Sequence, residues 1–214
     1  MLATASALLV VAVVVALAFA LRASDEAAPP PTARGTGTGT APTSLPGEPS
    51  TTVAPDPSCD QVRHGFTPRS ISVPGAARAA AIVTPPRDTS GIPGTPPLTL
   101  AGKGMFAWDL EQGTHPGDPR GNVIVNAHTW PDGSALGNRL LAVLHAGDRL
   151  VVRGRHVRLC YQVTERIEVS AATSMPRYYS KDGAPQLAIV ACSGKRLGPG
   201  VWTKRTVWFA APVT

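Results

Sequence analysis

The sequence predicts an all-β domain, a barrel or sandwich, carried behind an apolar N-terminal helix and a Pro/Gly-rich spacer. Three observations predict it. Short β-rich runs separated by Gly and Pro fill residues 58–214, the pattern of an all-β domain. Only one segment there has a sustained helical period. The chain before residue 58 has a composition that no globular core could use.

Residues 3–21 are nearly all Ala, Val and Leu, with only Thr4 and Ser6 polar. That is about the 20 apolar residues a bilayer core requires, and no polar face interrupts it. We read residues 1–22 as an uncleaved transmembrane anchor. A cleaved signal peptide is the rival, because Ala18-Phe19-Ala20 is a small-x-small site ahead of Arg22. No Lys or Arg precedes the apolar run to set its orientation. Residues 23–57 are Pro, Gly, Ser, Thr and Ala with few apolar anchors. Such a segment cannot bury enough surface to offset its ordering entropy, so it reads as a disordered linker holding a domain away from a membrane.

In chain order the expected strands are residues 70–73, 80–84, 98–101, 122–126, 149–152, 157–169, 186–191 and 202–210. The runs 122–127 and 187–191 are apolar without strict alternation, which marks central strands buried on both faces. One helix is expected from Ser134, its N-cap candidate, through Leu136, Leu140, Leu141 and Leu144, stopping before the Gly147-Asp148 turn. A second helical turn is expected within 171–178, limited by Pro176.

Charge and cysteines narrow the function classes. The formal charge is +6, but the basic residues are scattered and not interleaved with aromatics, so nucleic acid is not an expected partner. A basic outward-facing domain better suits an anionic envelope or acidic substrates. Cysteines stand at 59, 160 and 192, none in a C-x-x-C pair, which leaves zinc and thioredoxin chemistry without support. We expect Cys59 and Cys160 to pair, fastening the start of the domain to its body and freeing Cys192. Two unpaired structural thiols are the alternative.

Three residues carry chemistry. Cys192 closes the apolar run Leu187-Ala-Ile-Val-Ala at a Ser-Gly turn. A thiol mounted on a strand end can act as a nucleophile if nearby positive charge stabilises the thiolate; otherwise it is a small hydrophobe. His128 ends the run Asn122-Val-Ile-Val-Asn-Ala in the same way, alone among five histidines. Its imidazole can exchange a proton with a thiol and an amine, or be a hydrogen-bonded structural group. Arg205 shares its face of the last strand with Thr203, Val207 and Phe209. An arginine among apolar neighbours needs a partner, such as Glu165 or Glu168, or a task, such as holding a developing oxyanion.

Taken together, the order His128, Cys192, Arg205, at separations of 64 and 13 residues, resembles the sortase family. The Ile71-Ser-Val-Pro74 strand, the Pro116-Gly117 turn and the Leu144-His-Ala-Gly-Asp148 turn extend the resemblance. Ala127 departs from the Gly that commonly precedes the family's histidine, and Val190 from a common Thr. The compact domain, spacer and Ala/Arg/Pro content look most like actinobacterial class E/F sortases.

The resemblance implies a closed eight-stranded sortase-type β-barrel and a cysteine transpeptidase with no cofactor and no metal. It implies cleavage of an LPXTG-like sorting signal between Thr and Gly and transfer of the acyl group to a peptidoglycan-precursor or pilin amine. The catalytic domain would be extracellular, single-pass anchored in the cell membrane. Thr129, Trp130, Ser193 and Trp202 are the candidate substrate-groove residues. A noncatalytic envelope-binding module on the same barrel is the alternative. An L,D-transpeptidase is disfavoured because its H-x-x-x-S-x-G-C-type run is missing. With no LPXTG near Val213-Thr214, the chain is expected to be an enzyme rather than a sorting substrate.

Overall fold

The computed structural model describes residues 58–213. The expected anchor and linker lie outside the described residues. Among the described residues no helix is long and apolar enough to cross a membrane.

Eight strands form the domain: β1 (Ser70–Val73), β2 (Ala77–Val83), β3 (Phe106–Trp108), β4 (Asn122–Ala127), β5 (Arg149–Arg153), β6 (Arg158–Ser170), β7 (Gln186–Gly198) and β8 (Val201–Val213). They close into a barrel in the order β1-β2-β3-β4-β7-β8-β6-β5, with β5 returning to β1. Closure removes the free edges that an open sheet would expose. Two pairings are parallel, β2 with β3 and β4 with β7. A parallel pair needs a long crossover; for β4–β7 it contains helix α1 (Leu136–Val143), β5 and β6.

Alternation along β4 and β7 splits their side chains between two cores. Val123, Val125 and Ala127 of β4 and Leu187, Ile189 and Ala191 of β7 point into the barrel with Trp208, Leu140 and Leu144. Ile124 and Ala188 point outward, where Tyr178, Val207 and Phe209 complete a second, smaller core. The connection from β6 to β7 supplies its cover. A 3-10 turn at Pro176–Tyr179 lies in that connection. Asn122 Nδ2 donates to the carbonyls of Arg177 and Tyr178 at 2.8 and 3.1 Å. β4 is therefore buried on both faces, as its lack of alternation predicts, because a loop covers its outer side.

Three sequence expectations need correction. Residues 98–101 form no strand. Thr99 N–H bonds the Pro97 carbonyl and the Thr99 carbonyl accepts from Lys103, so local turns consume the groups a ladder would use. Leu98 and Leu100 are exposed, and the third strand is the short Phe106–Trp108, buried throughout. Ser134 does not cap α1. The cap residue is Ala135, with no side-chain bond, while the Ser134 hydroxyl donates to Asp132 and accepts from Lys103 Nζ. Pro176 opens its 3-10 turn rather than cutting it short, since a first-turn position needs no N–H.

Candidate active site

Register builds the site from three adjacent strands. In the parallel β4–β7 pair, Ala127 lies opposite Ala191, so the next residues, His128 just past the end of β4 and Cys192 within β7, lie side by side; β7 runs on to Gly198, so the Ser-Gly turn expected after Cys192 is part of the strand. In the antiparallel β7–β8 pair, Cys192 lies directly opposite Arg205. All three side chains take the outward parity of Ile124, Ala188 and Val207. His128, Cys192 and Arg205 together line one cleft of about 770 Å³.

The walls of this cleft come from loops. The β6–β7 connection contributes Met175, Tyr178 and Tyr179, the β2–β3 connection contributes Ile92, Pro93 and Leu98, and the β7–β8 hairpin contributes Arg196 and Trp202. Most of these side chains are apolar, with few polar groups among them.

Cys192 is the free cysteine of the described residues, and it is partly buried. Cys59 and Cys160 form the expected disulfide. Burial pushes the Cys192 thiol above its ordinary range, and the Arg205 guanidinium opposes that shift. Burial thus disfavours the thiolate and the guanidinium favours it.

Arg205 pairs with neither carboxylate that could have neutralised it. Glu165 binds Arg177 at 2.6 Å and Glu168 binds Lys204 at 2.5 Å. Arg205 Nη1 instead donates to the carbonyls of Lys204 at 3.0 Å and Trp202 at 3.4 Å. Those bonds fix the guanidinium through one nitrogen, and the remaining donors of the fork are available to a ligand in the cleft.

His128 is held from two sides. Its carbonyl accepts the Gly137 N–H of α1 at 2.8 Å, and a Cβ on Gly137 would lie 2.5 Å from that oxygen. Only glycine allows the helix this approach. On its ring, Nε2 bonds the Pro96 carbonyl at 2.5 Å. A carbonyl only accepts, so Nε2 carries the hydrogen. No hydrogen bond joins His128 to Cys192 among the described residues.

The candidate groove residues divide. Thr129, Trp130 and Trp202 line the cleft. Thr129 Oγ1 donates to the Cys192 carbonyl at 2.7 Å, tying the segment that carries the imidazole to the strand that carries the thiol. Trp130 is clamped by Asn138, which bonds both its N–H and its carbonyl. Lys103 Nζ sits 4.1 Å over its ring. The same ammonium holds the Asp132 carboxyl down at about 2. Ser193 is the exception: it is buried, 4% exposed, and lies outside the cleft lining. One step past Cys192 on a strand, its side chain takes the opposite face.

Sequence reasoning missed Asn126, Arg196 and the 85–101 connection. Asn126 carries a readable signal, a polar residue inside an apolar strand two positions before the histidine and hence on the same face.

No protein-family model matches the chain, and no curated protein matches it in sequence. Solved structures do match. The complex of Streptococcus agalactiae sortase C1 and MTSET aligns with a TM-score of 0.50 at 12% identity, covering 68% of this chain and 68% of that one. The type III crystal structure of the same sortase also gives 0.50, at 14% identity over 67% of this chain and 66% of that one. Identity this low speaks to architecture alone: the described domain has the sortase fold.

Proposed function

We propose that this chain is a sortase-type cysteine transpeptidase. One observation carries the reading: a free thiol, an imidazole and a guanidinium that has no carboxylate partner among the described residues stand at neighbouring positions along three adjacent strands, in one apolar cleft. Cys192 attacks the scissile carbonyl of an LPXTG-like sorting signal between Thr and Gly. His128 takes the thiol proton and delivers it to the departing amine. Arg205 binds the carbonyl oxygen and the charge that develops on it. An amine of a peptidoglycan precursor or a pilin then attacks the thioester, and His128 accepts its proton.

The class E/F assignment rests on the compact domain and the composition of the chain before it. Tethering to the outer face of the cell membrane rests on the apolar run 3–21. Cys192→Ala tests the enzyme reading: it should abolish cleavage of a fluorogenic sorting-signal peptide, and full retained cleavage would end it.

A further inference from the structure

The histidine is gripped by a segment with no catalytic residue of its own. The β2–β3 connection crosses the end of β4, where its Pro96 carbonyl accepts from His128 Nε2–H at 2.5 Å. Two residues earlier, the Gly94 carbonyl accepts from Asn126 Nδ2 at 2.8 Å. Asn126 is 8% exposed and lies on the outward face of β4, two positions before His128. It is thus built into the same rigid strand as the ring it serves.

The connection is also fastened at its root. Arg87 Nε reaches both carboxylate oxygens of Asp109, at 3.0 and 3.1 Å, and Arg87 Nη2 donates to Gln112 at 3.1 Å. Within the loop, a Cβ on Gly94 would collide with the Pro86 carbonyl and the Pro85 ring. The segment is therefore fastened over the histidine at a few points, by Asn126 through the Gly94 carbonyl and by Arg87 at its root, and Gly94 leaves no room for a side chain.

We propose that Asn126 is a positioning residue for His128. By holding the Gly94 carbonyl it sets the Pro96 carbonyl against Nε2–H, which commits the neutral imidazole to one tautomer and turns Nδ1 into the proton acceptor. Nδ1 makes no hydrogen bond with any described residue, and His128 lines the cleft. The inference rests on the transpeptidase reading and adds the atom that does the work. The proton leaves Cys192 Sγ for Nδ1, making the ring an imidazolium while Nε2–H stays on Pro96. The sulfur adds to the scissile carbonyl carbon, whose oxygen takes the negative charge beside Arg205; as that oxyanion collapses to the thioester the carbon–nitrogen bond breaks, and the Nδ1 proton goes to the amine that leaves.

The test is a ring-nitrogen NMR measurement on the full chain labelled at histidine, comparing wild type with Asn126→Ala and Gly94→Ala. The second variant displaces the loop from its exposed side and leaves the β4 strand untouched. Wild-type His128 should show a protonated Nε2 and an unprotonated Nδ1. Each variant should lower the ratio of the two tautomers about five-fold, the equivalent of one lost hydrogen bond. On a cleaved peptide, kcat should fall with KM unchanged. An unaltered tautomer ratio in both variants overturns the proposal. Because the NMR readout needs no substrate, a chain that keeps the tautomer response and cleaves nothing would sink the transpeptidase reading alone.

Discussion

At the scale of single residues, the site is defined by charges left without ordinary partners. Glu165 and Glu168 are both occupied by other cations, so Arg205, opposite Cys192, has no carboxylate partner among the described residues. Its removal should act on Cys192 in a fixed direction. Burial raises the thiol and Arg205 lowers it, so Arg205→Ala takes away the opposing influence and the thiol rises further. The pH profile of Cys192 alkylation by iodoacetamide should then shift to higher pH, whereas an unmoved or lowered profile would show that the guanidinium does not act on the sulfur. Peptide cleavage by the same variant should fall roughly 100- to 1,000-fold, the scale seen when one oxyanion donor is lost. Cys192, His128 and Arg205 were legible in the sequence because each ends or occupies a strand whose pattern fixes where its side chain points. The role of Pro96 was not legible, since a backbone carbonyl leaves no signature in a residue string. Ser193 was misjudged by adjacency: being next to the cysteine in sequence places it across the sheet.

At the scale of elements, two contacts decide whether the strand ends stay in place. Helix α1 meets the His128 carbonyl through Gly137, and a methyl group there would force the two apart. Gly137→Ala should cost about 1–3 kcal/mol in chemical denaturation, the range for overpacking, and should reduce peptide cleavage as well. A fully stable, fully active variant would show that the approach is not required. The second contact is Arg87 with Asp109, a carboxylate only 3% exposed. Arg87→Ala leaves that group buried without its cation, and an expected loss of about 3 kcal/mol can be read from a urea titration; a loss near zero would mean that water replaces the guanidinium. Six of the eight strands were legible to within three residues, because alternation or an unbroken apolar run marks each; β7 starts at Gln186 as expected but runs on through the expected Ser-Gly turn to Gly198. Phe106–Trp108 was not legible, since three buried residues show no period. The Leu98–Thr99–Leu100 stretch imitated a strand by composition while Pro96 and Pro97 committed it to turns.

At the scale of the whole molecule, the disulfide closes a loop whose ends are 101 positions apart in sequence, joining the start of the domain to β6. Asp60 reinforces the junction, its carboxylate accepting the Arg158 N–H at 2.6 Å. Cys59→Ala should destabilise the protein by about 2–4 kcal/mol, mainly by freeing the unfolded chain, and lower Tm by roughly 5–15 °C. Equal melting of the oxidised wild type and the variant would contradict this. The pairing was read from Cys59 standing just ahead of the domain and Cys160 inside a strand-like run; the strand spacing pointed to a barrel or sandwich, and the closed barrel came from the family resemblance. The convergence of the site depends on something no single segment reveals, the parallel register of β4 and β7, which sets His128 beside Cys192 across 64 residues of chain. Intact-mass spectrometry tests that convergence most directly. The full chain is mixed with an LPXTG-like peptide and quenched in acid without an acceptor amine. A mass increase equal to the acyl fragment ending in Thr should appear, map to Cys192, and vanish in both His128→Ala and Cys192→Ala. No adduct across a library of such peptides, or an adduct that survives loss of Cys192, would contradict the account.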